Sequence, residues 1–329
     1  MSSNVIDAVK HMYIKRCMYP NCNSKSAIKS HALQNNGVIS RLAIDNHVLM
    51  PYVQRSATYL EKNKFFRKKL KSIGKNEATT FYGFCKKHDD QLFAPIEKEE
   101  WFINKDNEFL FAYRTLCSQL KNKEETIARL KAENASYEML EEKALPVQDL
   151  SRVKEICDKF LTGKLKKSPL STIAWQLGKI NFSYDAMYQP SYDFSGETIS
   201  EDEDRINYPL FITVLPYKDH SIAFISWLAK DTSRFHDLIP GLKKLSMKER
   251  QIYLTNVALR GTDDLVISPR VENKISQDQV DLIEGGYLDV LEAQIEAAKY
   301  AAIFQSTKSI DKLSANIMLE STSLNLFEL

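Results

Sequence analysis

Cys17 and Cys22 bracket the segment Met-Tyr-Pro-Asn, and Cys85 stands three residues before His88 in Phe-Cys-Lys-Lys-His. Two thiolates on a tight turn, met by a third thiolate and an imidazole from far along the chain, are the donors that tetrahedral Zn²⁺ takes. Pro20 and Asn21 suit the turn, and a spacing of three lets Cys85 and His88 face one ion from the start of a helix. Lys86 and Lys87 would offset part of the thiolate charge. These four residues are expected to hold one structural Zn²⁺. The alternative is unconnected thiol pairs and a surface histidine.

A second set of reactive groups begins nine residues beyond Cys22, with Ser30-His31 followed by Leu-Gln-Asn-Asn-Gly. A cysteine pair, a histidine on an extended segment and a second ligand pair opening a helix together resemble the treble-clef zinc modules. Among these the pattern is most similar to the HNH (ββα-metal) endonucleases, over roughly residues 12–93. The resemblance implies that His31 is the general base on water. It also implies that Asp89 or Asp90, directly after the last zinc ligand, helps hold a catalytic Mg²⁺ or Mn²⁺. Ser30 stands where that family usually has Asp, and Asn76 is the nearest candidate for its central Asn. Phosphodiester attack needs a base for water and a cation for the leaving oxygen, and such a pair supplies both. Two other roles stay open for His31: a zinc ligand in place of one of the four, or a hydrogen-bonding structural histidine. Asn46-His47 reads as a strand edge with a structural role.

Between the two ligand pairs lies KNKFFRKKLKSIGK, residues 62–75, with seven basic residues and no acidic one. Lys62, Lys64, Arg67, Lys68, Lys69 and Lys71 are expected to neutralise nucleic-acid phosphates, and Phe65 and Phe66 could stack on bases or pack inward. A solvated helix face is the plainer reading. The charge balance supports the first: residues 1–95 carry 16 Lys and Arg against 6 Asp and Glu, and the rest carries 29 against 37. A polyanion would be drawn to the first part and repelled by the second, unless the two parts neutralise one another within the molecule.

Three elements must position these groups. Residues 1–100 read as a basic zinc-binding module whose exit is Ala94–Trp101. Residues 101–165 read as a helical hairpin. Its first helix, about 107–143, lacks Pro and Gly and places Leu116, Leu120, Ile127, Leu130 and Tyr137 at spacings of one face. Pro146 is expected to end it, and a second helix follows over about 149–161 with Leu150, Val153, Ile156, Cys157 and Phe160 inward. The hairpin is a spacer or a surface for homo-oligomers. Residues 166–329 read as an acidic α+β domain with an antiparallel sheet. YPLFITVLPY and SIAFISWLA form a hairpin about Lys218, Asp219 and His220, and FSGETISEDEDR is a loop. Ser246 with Glu249 and Ser276 with Gln279 have the form of capping boxes, and a last helix is expected over about 286–305. Tyr184, Tyr188, Tyr192, Asp185 and Asp193 read as ordinary strand positions, and His220 and His236 as surface residues.

The whole is therefore α+β, with no run of 18 apolar residues to cross a bilayer. It lacks a signal-peptide pattern at the N-terminus, a Gly-rich phosphate loop, a Gly-x-Ser-x-Gly elbow and an HExxH motif. A cytoplasmic location is expected, where five cysteines act as ligands or buried apolar groups rather than disulfides. The function expected is a zinc-binding, nucleic-acid-directed protein, with metal-dependent cleavage as its sharpest form. A non-catalytic module binding nucleic acid or protein is the alternative. The layout also resembles that of uncharacterised bacterial proteins with an N-terminal zinc module, some of which serve in defence against phage.

Overall fold

The structure, a computed structural model, describes residues 14–53, 68–98, 102–132, 134–190, 192–195, 197, 199, 208–286, 317–319 and 322–329. Its strands, in chain order, are β1 (Ser30–His31), β2 (His47–Val53), β3 (Lys68–Gly74), β4 (Thr80–Phe81), β5 (Leu170–Leu177), β6 (Phe182–Tyr188), β7 (Leu210–Tyr217), β8 (His220–Leu228) and β9 (Val266–Ile267). The helices that matter below are α1 (Lys86–Leu92), α2 (Lys105–Ala132), α3 (Tyr137–Leu161), α4 (Leu238–Lys244), α5 (Met247–Gly261) and α6 (Gln277–Asp281). The fold is α+β, and no helix among the described residues is long and apolar enough to cross a membrane.

β7 and β8 form the expected hairpin, with Tyr217 opposite His220 and Lys218 at φ 51° in the two-residue turn. They lie in a seven-stranded sheet of order β3-β2-β9-β6-β7-β8-β5. Every pairing in it is antiparallel. Along β7, side chains alternate between two cores. Leu210, Ile212 and Val214 pack in one with Tyr253, Leu254 and Val257 of α5. Phe211 and Leu215 pack in the other with Phe109, Phe111, Leu116 and Leu120 of α2. Burial on both faces is why β7 and β8 read as unbroken apolar runs rather than alternating ones.

The helical hairpin is one slab of this sandwich. Residues 107–118 of α2 are buried all round, with Phe111 stacked on Phe224 of β8 at 5.4 Å and Leu116 wholly enclosed. Its later positions Ile127 and Leu130 are half-buried, and Tyr137 is exposed and belongs to the second helix. The turn falls before residue 137, and Pro146 lies inside α3 instead of ending a helix. A proline in a helix interior forfeits one backbone bond and costs about 3 kcal/mol. Here the burial of Leu150, Val153 and Cys157 one to three turns later holds the helix through it. Both capping boxes are formed, Ser246 with Glu249 and Ser276 with Gln279. The helix expected over 286–305 falls almost wholly outside the described residues.

β2 and β3, which belong to the stretch between the two ligand pairs, extend the large sheet through β9, where Leu49 faces Ile267. Residues within 1–100 and within 166–329 thus share one sheet. Lys68–Gly74 form a strand, so the helix-face reading of the basic run does not hold there. Lys62, Lys64, Phe65, Phe66 and Arg67 lie outside the described residues.

Candidate metal centre and the His31 pocket

The knuckle Cys17–Cys22 closes through the amide of Cys22 donating to the Tyr19 carbonyl at 3.1 Å, with Asn21 left-handed at φ 60°. The chain then runs beside the segment 79–85. Met18 N donates to Gly83 O, Ile28 N to Phe84 O and Ala32 N to Thr79 O, each at 2.8 Å. β1 pairs β4 in the same ribbon, with Ser30 opposite Phe81 and His31 opposite Thr80. Cys85 caps α1 in extended conformation, so α1 departs from the end of the ribbon and carries His88 back over the knuckle. Beneath them Phe84 and Phe93 meet edge-to-face at 5.1 Å. The whole ribbon thereby rests on the buried half of α2.

The result is a cluster in which one donor atom from each of Cys17, Cys22, Cys85 and His88 lies within 4.8 Å of the others. A tetrahedral Zn²⁺ with Zn–S about 2.3 Å and Zn–N about 2.0–2.1 Å sets its S···N edges near 3.6 Å. The Cys17 and Cys85 sulfurs lie 3.5 and 3.4 Å from His88 Nδ1. The donor set therefore fits a metal ion such as zinc. Tyr19 stacks on the His88 ring at 4.0 Å and fixes its plane. Burial would raise the Cys85 thiol, but the amides of His88 and Lys87 and the neighbouring thiols outweigh it and bring the group down. Burial pushes the Cys17 thiol up to about 11. The other two cysteines, Cys117 on α2 and Cys157 on α3, are buried in the core; burial pushes Cys117 up to about 12 and Cys157 higher still.

His31 lies apart from the converging donors. Its Nδ1 is 2.9 Å from the Ala78 carbonyl. A carbonyl only accepts, so Nδ1 carries the proton and Nε2 keeps its lone pair. Nε2 lies 3.4 Å from Asn35 Nδ2, which also donates to Asn76 Oδ1 at 3.0 Å. Burial lowers the His31 pKa below the ordinary 6.5, so the ring is neutral at pH 7; Glu97 and Asp89 pull it up and Arg114 pushes it down.

Those same groups define the rest of the pocket. Arg114 of α2 is 3% exposed, lies over the Phe93 ring at 4.1 Å and bonds Glu97 through Nη2 at 2.5 Å. Gln34 donates to the Glu97 carbonyl at 2.6 Å. Burial raises the Asp89 carboxyl, while the Ser30 hydroxyl and Arg114 draw it down. Two buried polar atoms here, Asn35 Oδ1 and Arg114 Nη1, meet no partner of hydrogen-bonding geometry among the described residues, and Ser30 Oγ has the Asp89 carboxyl near it but off ideal geometry. Leaving such atoms unmet costs about 1–3 kcal/mol each.

The expected site residues thus fall into three places. Cys17, Cys22, Cys85 and His88 converge; His31 and Asp89 lie in one electrostatic neighbourhood; Lys69 and Lys71 lie exposed on β3. Asp90 is exposed and paired with Lys86 at 2.9 Å. His47 opens β2 as an exposed residue, its Nδ1 2.8 Å from Asp45 O. His220 is half-buried beside Asp219, and His236 is exposed. The Asn35–Glu97–Arg114 group is absent from any linear motif, because its members come from a loop, a short helix (Ala94–Glu97) and α2. Asp185 was also missed. It is wholly buried on the α2 side of β6, and neither of its oxygens meets a partner of hydrogen-bonding geometry among the described residues.

No family model matches the chain, and no curated protein and no solved structure shows significant similarity to it.

Proposed function

We propose that this chain is a zinc-structured, nucleic-acid-directed protein, and that the His31 pocket cleaves phosphodiester bonds in the manner of the HNH (ββα-metal) endonucleases. The observation that carries the reading is the set of buried polar groups around His31. A neutral imidazole, its Nε2 facing only the long 3.4 Å contact from the Asn35 amide, lies near buried polar atoms that meet no partner among the described residues. Folding alone selects against such atoms, whereas a substrate or hydrated ion would complete them.

In this reading Nε2 of His31 takes the proton of the attacking water. The Nδ1–H bond to Ala78 holds the ring in the productive tautomer, and the attacking water would take the place of the Asn35 amide beside Nε2. Arg114, fixed by Glu97 and Phe93, faces developing negative charge with Nη1. Among the described residues no second group of three His, Cys, Asp or Glu donors converges. A catalytic Mg²⁺ or Mn²⁺ would be held by Asp89 and water, as suits a cation that keeps several waters. When bound, that ion supplies charge neutralisation at the leaving oxygen. The knuckle, ribbon and helix order supports a treble clef, with zinc as the rivet that would fix the Cys17–Cys22 knuckle against the start of α1. A role in phage defence belongs to the same proposal.

The test is cleavage of plasmid DNA and structured RNA with added Mg²⁺ or Mn²⁺, with His31→Ala beside the wild type. Metal-dependent nicking by the wild type alone is expected; equal nicking by both would remove His31 from the mechanism. The non-catalytic reading is favoured by a separate observation, the exposed Lys69, Lys71 and Tyr52. It predicts salt-sensitive binding without cleavage.

A further inference from the structure

Among the described residues β3 is an outer strand of the large sheet. Outer strands leave a row of amides and carbonyls without sheet partners and need some device to cover them. Here the amide of Leu70 donates to Glu284 Oε1 at 2.9 Å. Lys69 Nζ meets Glu284 Oε2 at 2.7 Å. One carboxylate is thus held by a backbone N–H and an ammonium from adjacent residues. Its side chain is 13% exposed while that of Lys69 remains 59% exposed. Glu284 lies in the turn after α6, next to Gly285, which sits at φ 118°. That conformation is open to glycine and strained for other residues.

The surroundings of this seat are cationic and aromatic. Strand alternation sends Lys69 and Lys71 to one face and Leu70 to the core. Tyr52 of β2 stands opposite Lys69, 48% exposed, with Lys71 Nζ 4.6 Å from the centre of its ring. An N–H and an ammonium gripping one acidic group, with a second lysine and an exposed ring beside them, is the chemistry that holds a phosphodiester backbone and stacks a base.

We propose that Glu284 stands in for a nucleic-acid phosphate on β3, and that a phosphodiester backbone lying across Lys69, Lys71 and Tyr52 displaces it. The inference rests on the nucleic-acid reading above and adds an internal competitor to it. The basic surface is held partly neutralised until a polyanion of higher charge density takes the seat. Removing the carboxylate then tightens binding, whereas a carboxylate serving only to cap the strand edge would leave binding unchanged.

The experiment measures binding of the full chain to fluorescent single-stranded DNA and RNA across a salt series, for wild type, Glu284→Gln, Lys69→Met and the double variant. Glu284→Gln is expected to bind about five- to tenfold more tightly at low salt. Its slope of log affinity against log salt should be steeper by about one phosphate's share, roughly 0.7–0.9. In the Lys69→Met background the same change should give no gain. Charge reversal at Lys71 separates the competitor from the nucleic-acid reading. Binding lost there but untouched by Glu284→Gln overturns the competitor and leaves the nucleic-acid reading standing. No binding by any variant at any salt overturns both. Poly-glutamate competing as well as DNA would overturn the phosphate assignment. Thermal melts of each variant confirm that the fold is kept.

Discussion

The metal centre and the His31 pocket are built from the same ribbon and helix, yet they are chemically opposite. At the metal centre four donors converge on one point, and Tyr19 locks the imidazole plane. A single tetrahedral ion would satisfy them all and leave no open position, as a structural site requires. Around His31 the polar groups are held just as firmly, by Ala78, Glu97 and Phe93, but Asn35 Oδ1 and Arg114 Nη1 meet no partner among the described residues. The comparison teaches that rigidity alone does not distinguish scaffold from site. What distinguishes them is whether the held groups complete one another.

The largest effect should come from opening the closed site. Cys85→Ser, which removes one thiolate, should lower bound zinc from one per chain to near zero by elemental analysis. It should destabilise the protein by several kcal/mol, since the binding energy of a structural zinc is folding energy. An unchanged melting temperature with zinc lost would make the cluster incidental to the fold.

Next comes the pH dependence of the open site. Burial depresses the His31 pKa below 6.5. The base is therefore competent above that lowered value, and cleavage should fall on acidification with a midpoint under 6.5. Stability follows the same sign: the ring resists protonation when folded, so its contribution is lost as the pH drops through 6.5 and below. A rate midpoint at or above 6.5 would contradict a buried neutral base.

Asp185 sharpens the contrast, because it too is buried without a partner of hydrogen-bonding geometry among the described residues, but it lies between the sheet and α2 rather than beside His31. Burial, and then the charge of Asp264, hold its carboxyl well above the usual 3.8. A carboxyl raised in the folded state contributes stability that is full below 3.8 and is lost as the pH rises through its folded value. Asp185→Asn should flatten that slope, so that by urea unfolding the variant gains stability over the wild type as the pH rises. Identical slopes would show that the carboxyl is solvated or paired.

The smallest effect concerns the buried thiols. Counting alkylated cysteines by mass spectrometry at pH 8 should give none in the metal-loaded protein and three after chelation, at Cys17, Cys22 and Cys85. Cys117 and Cys157 stay unlabelled because burial keeps them protonated. Cys117→Ala should cost about 1 kcal/mol and no zinc. Early labelling of Cys117 would contradict its enclosure between α2 and α3.

Much of this was legible in the chain. Cys-x4-Cys and Cys-x2-His announce their geometry through spacing, and Ser246-x-x-Glu249 and the Lys218-Asp219 turn announce theirs through local bonding. The four-donor cluster could be read because each half is local and the chemistry supplies the link. What failed to show was set by distant contacts. β9 has two residues, too few for a pattern, yet it joins β2 to β6. Pro146 reads as a stop, but packing beyond it carries the helix on. Asp185 looks like any polar strand residue, because nothing in Tyr-Asp-Ala says that α2 will cover that face. Arg114 and Glu97 become partners only when α2 is laid beneath the ribbon.

The most direct test of the account is a paired measurement on the same preparations of wild type and His31→Gln: zinc content per chain and Mn²⁺-dependent nicking of plasmid DNA. The account predicts one zinc in both proteins, with nicking reduced by roughly 10²–10⁴-fold in the variant. Equal nicking, or none in a zinc-loaded wild type, would contradict the claim that an open catalytic pocket stands beside a closed metal centre.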